Sequence, residues 1–171
     1  YEFIWSHHHI IMDGWCTGIL LAEYFEIYDS FLEQRPYRLA PAGEYRTYIN
    51  WLAKQDKASS RAFWKEYLEG YSRATMIRQA GALPGIGYRA ARKVLKIDTE
   101  KTAGINRLAA ALRVTPNTVF QVLWGALLSA YNGTGDVVFG AVVSGRPSEI
   151  TGVETMVGLF INTIPVRMSF P

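Results

Sequence analysis

An α/β fold is predicted by three features of this 171-residue sequence. Residues of strand character crowd Glu2 to Met12, "DVVFGAVV" (136–143) and "MVGLFINTIPVRM" (156–168). Between them, apolar side chains recur with helical spacing. The order is strand, three helices, strand, two helices and two strands, without an internal repeat.

A hydrophobic fraction of 49% and a charged fraction of 19% describe a globular chain with a core. Eighteen Lys and Arg against fifteen Asp and Glu make no basic surface, and no basic cluster interleaved with aromatics appears, so nucleic acid is not an expected partner. No run approaches the roughly 18 apolar residues of a membrane span. Cys16 is the single cysteine, which excludes an internal disulfide and suits a reducing cytoplasm. "YEFIW" lacks a basic start and begins as if in mid-strand, and "IPVRMSFP" stops as a strand finishes, so an excerpt of a longer polypeptide is expected.

The first strand, Glu2 to Met12, is closed by Asp13-Gly14, a turn signal. Ile19, Leu20, Glu23, Tyr24, Ile27, Tyr28 and Phe31 then follow helical spacing to about Gln34, ahead of Pro36. A second helix is expected over about 43–54, with Tyr45, Tyr48, Ile49 and Leu52 on one side. A third runs over about 59–69, with Gly70 as its C-cap. The segment 71–90, ending in "GALPGIGYRA", is irregular and is the expected lobe boundary or crossover. "ARKVLKI" (91–97) alternates like a short strand. Asp98 is a plausible N-cap for a helix on Ile105, Leu108, Ala109 and Leu112. In "TPNT", Thr115 caps and Pro116 suits the first helical position. The body from Val119 to Tyr131 is apolar nearly all round, which predicts burial until "NGTG" (132–135) breaks it. "DVVFGAVV" reads as a central strand covered on both faces, and Pro165 marks the last strand as an edge or a bulge.

"SHHHIIMDGW" (6–15) carries the chemistry. Strand alternation puts His7, His9 and Ile11 on one face and Ser6, His8 and Ile10 on the other. His9, nearest the turn, is then better placed than His8 to reach a substrate. Asp13, beyond the strand end, is expected to accept backbone or arginine hydrogen bonds and hold the turn. Gly14 lets the chain bend and a ligand approach the backbone. A metal centre needs three or four convergent ligands, yet there are only three histidines and one cysteine, so none is expected. Any single histidine is ordinarily a satisfied core residue; the run followed by Asp-Gly at fixed spacing points to a site.

His8-His9-Ile10-Ile11-Met12-Asp13-Gly14 matches the HHxxxDG signature of condensation domains of nonribosomal peptide synthetases, which epimerization domains also carry. "YRTYINW" (45–51) resembles the family's YxDYxxW segment, with Thr47 in place of its aspartate. "VGLFINTIPVR" (157–167) resembles VGxFxNTxxxR, and "DVVFGAVVSGRP" (136–147) resembles the strand before it. The resemblance covers the whole chain in the family's order, and is closest to the branch joining an L-residue donor to an L-residue acceptor.

What this implies is a chloramphenicol acetyltransferase-like, two-lobed α/β fold. Residues 1–80, approximately, would be the end of the N-terminal lobe, and about 81–171 the first half of the C-terminal lobe. The implied reaction is amide formation between a peptidyl or aminoacyl thioester donor and an aminoacyl acceptor. Both arrive on phosphopantetheine arms of carrier domains, alongside the synthetase's adenylation domain, and no cofactor is bound directly. By the same resemblance His9 touches the reacting centre, His8 accompanies it, Asp13 holds the loop, and Gly14 gives the substrate room. Trp15 and Asn162 are candidate substrate or tunnel residues, although for Asn162, as for Arg167, a structural role at a strand end or a lobe-to-lobe contact is the favoured reading. The salt-bridge partner of Asp13 is expected outside the chain. Cys16, where the family commonly has serine, is read as a packing or helix-start substitution and not as a nucleophile.

An amine has a reference pKa of about 8 and imidazole about 6.5, so His9 is a modest base. General-base help contributes roughly 10²–10⁴-fold, whereas effective molarities from orientation reach about 10⁵–10⁸ M. His9 as base and His9 as positioning group both remain open. An epimerization domain and a free-standing acyltransferase are the alternatives within the superfamily. The 171 residues alone are expected to fall short of a turnover-competent domain.

Overall fold

The computed structural model describes residues 2–77 and 90–171. Five helices, α1 (Gly14–Leu32), α2 (Tyr45–Ala53), α3 (Lys57–Tyr67), α4 (Thr99–Leu112) and α5 (Pro116–Asn132), precede two strands, β1 (Asp136–Val143) and β2 (Asn162–Ser169). A short 3-10 turn, Val153–Thr155, lies between the strands. The strands pair in a two-stranded sheet. Gly135 lies against Phe170 and Gly145 against Phe160, the order of an antiparallel pair.

The chain forms two compact units. One comprises Tyr1–Tyr67 with Ala141–Ile164, the other Leu68–Gly140 with Pro165–Pro171. The lobe boundary expected near residue 80, and most of "GALPGIGYRA", lie outside the described residues.

In the first unit the core is Tyr48, Ile150, Val153, Met156 and Phe160, with Tyr45 and Trp51 packed on it. "YRTYINW" explains the arrangement. Helical spacing stacks Tyr45, Tyr48 and Trp51 along one side of α2, with Tyr48 and Trp51 at 6.1 Å. Tyr45 meets Phe160 edge to face at 5.2 Å, and Tyr48 meets it at 4.6 Å. The Tyr45 hydroxyl donates to the Leu159 carbonyl at 2.6 Å. Its ring lies so close over Gly158 that any side chain there would enter it. Thr47, at the position of the family's aspartate, is exposed.

The end of α1 is tied by charge. Glu26 accepts two hydrogen bonds from Arg35, at 2.7 and 3.2 Å, and one from the Arg38 backbone at 3.0 Å. These contacts hold the Glu26 carboxyl down at about 2.

In the second unit α4 packs against α5. Asp98 caps α4 by accepting from Lys101 N, and Thr115 caps α5 by accepting from Thr118 N, with Pro116 at its first position. Arg167 of β2 grips Asp136 at the start of β1 through two bonds of 2.9 and 2.7 Å and donates to the Glu69 carbonyl at 2.7 Å. That is a strand-end fastening.

Several expectations are corrected. Residues 2–8 are not a strand, and a turn occupies His9 and Ile10. "ARKVLKI" is likewise outside any strand. A strand needs a neighbour to bond, and among the described residues the only ladder joins β1 to β2. β1 is not covered on both faces, since Val142 is 66% exposed. α5 is not buried all round: Phe120, Leu123, Trp124, Leu127 and Tyr131 are exposed, and only Gly125 and Leu128 are buried. α1 likewise buries only Cys16 and Ser30. Apolar periodicity states which surface would gain from cover; the described residues cover one side of each helix. Asp13-Gly14 is not a free-standing turn, because Asp13 caps α1 and Gly14 is its first residue.

Candidate functional site

The segment before α1 turns inward in three steps. Ile11 N donates to the His8 carbonyl at 3.2 Å, closing a turn around His9 and Ile10. Ile10 N donates to His8 Nδ1 at 3.1 Å, so His8 spends one of its two ring nitrogens on the turn. Beyond it Met12 and Asp13 are buried, at 2% and 4% exposure.

Asp13 is the hub. Its Oδ1 accepts from Trp15 N at 3.2 Å, capping α1, and from Cys16 Sγ at 3.5 Å. Its Oδ2 accepts the backbone N–H groups of Phe160 and Ile161 at 3.0 and 3.1 Å. One carboxylate therefore joins the helix start to the loop "VGLFI". Burial alone pushes the Asp13 carboxyl up; the bonds from Phe160, Ile161 and Cys16 and the charge of Arg146 outweigh it, and the net shift is downward.

Arg146 completes the hub from the turn after β1. Its Nη2 lies 3.7 Å from Asp13 Oδ1 and 3.5 Å from Cys16 Sγ. Its Nη1 donates to the Val153 carbonyl and, at 3.0 Å, to the Met156 carbonyl. The guanidinium lies 3.9 Å from the Phe160 ring centre and 5.7 Å from Trp15. The partner of Asp13 is therefore inside the chain, contrary to expectation. Its sequence signal was "SGRP", a lone cation among turn-forming residues at the exit of an apolar strand.

Gly145 must be glycine for this turn. Its φ is +64°, and a Cβ would overlap the Phe160 carbonyl. Cys16 is wholly buried; its one S–H is within reach of both Gly158 O, at 3.2 Å, and Asp13 Oδ1 and serves one at a time, while its sulfur accepts from Gly158 N at 3.3 Å. That agrees with the packing role read for it.

Two cavities flank the motif. The larger, about 420 Å³, is apolar, with Trp5, His7, Ile11, Met12 and Leu20 among its walls. Trp5 and His7 rings sit 5.1 Å apart there. The smaller, about 220 Å³, is bounded by Asp13, Gly14, Trp15, Ser144, Arg146 and Ile161, with Val142 and Val143 behind. Gly14 has no protein atom within 4 Å of where a Cβ would stand, so its side is open.

The expected residues are thus divided. Asp13, Gly14 and Trp15 meet at the smaller cavity, where the Trp15 indole donates to the Glu154 carbonyl at 2.8 Å. His9 lies exposed in the turn and lines neither cavity; His7 and Ile11 face the larger one. The turn breaks the strand alternation on which His9 was placed. Asn162 is exposed at the start of β2 and accepts from Thr163 N at 2.8 Å, outside both cavities. Among the described residues no cluster of three metal-ligating side chains occurs, and no helix is long and apolar enough to cross a membrane.

The family model described as "Condensation domain" matches residues 1–170. The chain is similar to surfactin synthase subunit 3 of Bacillus subtilis (strain 168), 44% identical over 168 residues, covering 98% of this chain and 13% of that protein. It is similar to bacitracin synthase 1 of Bacillus licheniformis, 46% identical over 171 residues, covering 99% of this chain and 3% of that protein. The first condensation domain of the CDA synthetase superposes with a TM-score of 0.73 at 22% identity, over 96% of this chain and 37% of that one. The epimerization domain from the third module of tyrocidine synthetase B gives 0.68 at 20% identity, over 95% and 38%. This chain thus spans a small part of the relatives it matches, and the fold is the one the sequence resemblance implied.

Proposed function

Because the chain belongs to the Condensation domain family, we propose that it serves peptide-bond formation between two carrier-bound substrates. The amine of an aminoacyl acceptor attacks the thioester carbonyl of a peptidyl or aminoacyl donor. A C–N bond forms, the C–S bond breaks, and the amine proton passes to the departing pantetheine thiolate. The substrates arrive on phosphopantetheine arms of donor and acceptor carrier domains, with an adenylation domain in the same synthetase. A reducing cytoplasm suits the single free thiol. The acceptor and donor of L-configuration are the pairing this reading favours.

The observation that carries the reading is the Asp13 hub. A buried carboxylate ties HHxxxDG to "VGLFI" through the N–H groups of Phe160 and Ile161 while capping α1 at Trp15 N, beside a cavity open at Gly14. Such a clamp fixes the loop on which amine and thioester meet, and orientation is the larger source of rate for an already reactive thioester. His9 lies exposed within the turn that His8 closes, and its imidazole is the group this reading assigns to the amine or the tetrahedral intermediate.

The test uses the full product of the gene, loaded carrier proteins and mass spectrometry of the acceptor arm. Wild type should yield a dipeptidyl arm, and His9→Ala should lower the rate, by roughly 10²–10⁴-fold if it is a base. Cα deuterium exchange on a single loaded carrier, without amide formation, would establish the epimerase chemistry suggested by the likeness to an epimerization domain.

A further inference from the structure

The smaller cavity has three polar side chains in its wall, Asp13, Ser144 and Arg146, and two of them are spent. Asp13 Oδ2 already accepts two backbone N–H groups, and Oδ1 accepts Trp15 N and shares the Cys16 S–H with Gly158 O. The Arg146 terminal nitrogens are taken by the carbonyls of Val153 and Met156 and by Cys16 and Asp13. Arg146 Nε has no partner, but it is sealed from solvent. Ser144 differs. It is exposed, and its Oγ accepts the Arg146 backbone N–H at 3.2 Å. That bond uses an oxygen lone pair and leaves the O–H to donate, strengthened by the bond it accepts. The remaining wall, Val142, Val143, Ile161 and the Trp15 ring, is apolar. A pocket of this kind orients its ligand by its few polar groups.

We propose that the Ser144 hydroxyl positions the substrate by donating a hydrogen bond to an acyl carbonyl held in this cavity beside Gly14. The identity of the ligand, an aminoacyl or peptidyl thioester, rests on the function proposed above; the donor itself rests on the cavity. The volume of about 220 Å³ suits the acyl end and a small side chain, not a whole peptide. The hydroxyl fixes which way the carbonyl faces, and the open side at Gly14 leaves space for the rest of the substrate.

The test is calorimetric, on the full product of the gene, with two probes. One is the amide analogue of glycyl-pantetheine, with NH in place of the thioester sulfur; the other is the thioether lacking the carbonyl. Ser144→Ala should bind the amide about tenfold more weakly, as for loss of one net hydrogen bond. Ser144→Thr should restore it, the thioether should not respond to either change, and the thermal midpoint should stay put. Equal amide binding by wild type and Ser144→Ala, no binding by wild type, or a loss shared by the thioether would each overturn the assignment. Failure of the function itself is separately visible. Ser144-dependent binding without dipeptide formation leaves this donor in place and removes the peptide-bond reading; dipeptide formation indifferent to Ser144→Ala does the reverse.

Discussion

Asp13 and Arg146 face each other at 3.7 Å, with each side chain only 5% exposed. Neither would be stable there alone. A buried pair adds little over an apolar replacement, but losing one partner strands the other's charge. The pair is accordingly a device for register: it fixes α1, the "VGLFI" loop and the turn after β1 to one another within the first unit.

Arg146→Ala should therefore lower stability by about 3–5 kcal/mol. It strands Asp13 and frees the Val153 and Met156 carbonyls. Asp13→Asn should cost about 1–3 kcal/mol, because an NH₂ then meets donors where an oxygen accepted them. Urea denaturation of both variants and of the double variant measures the coupling; additive losses would mean that the two residues act separately.

Acid should act through the carboxylates held below their ordinary values, Asp13 and Glu26 among them. Asp13 sits below its ordinary 3.8 in the folded protein. Glu26 falls from 4.5 to about 2, chiefly through its hydrogen bond from Arg35. With folded values depressed, both contributions are complete above the unfolded values and are lost as pH falls through the folded ones. Glu26→Gln should thus narrow the fall in thermal midpoint between pH 5 and pH 2. An identical fall in the variant would show that Arg35 does not stabilise the folded form.

The Cys16 thiol should resist labelling by an aromatic disulfide in native buffer and react as one equivalent in denaturant, since it is fully buried. Immediate reaction of the native protein would mean that the helix start opens readily.

Glycines divide by surroundings. Gly145→Ala should prevent stable folding of the first unit, because a positive φ and the Phe160 carbonyl both oppose it. Gly14→Ala meets no protein atom and sits in a helix, so stability should hold or rise slightly. Gly14→Val should fold and obstruct the cavity. Unchanged condensation by a folded Gly14→Val protein would show that the substrate does not pass there.

Local order was written in the sequence. Asp98, Thr115 and Pro116 start their helices because capping needs only a side-chain oxygen three residues from a backbone N–H. "DVVFGAVV" matches β1 residue for residue, and Gly70 takes a left-handed conformation, although α3 ends at Tyr67, three residues before it. The motif spacing marked Asp13, Gly14 and Trp15, which do converge. Tertiary structure alone decided the remainder. Whether Glu2 to Met12 becomes a strand depends on a neighbour to bond, and whether α5 is buried depends on what covers it; neither is a property of the segment. The link from Asp13 to Arg146, Phe160 and Ile161 joins positions far apart in the chain, two of them through backbone N–H groups that every residue but proline carries. Periodicity reports which face of an element is apolar, whereas a contact between distant elements exists only once the chain has closed on itself.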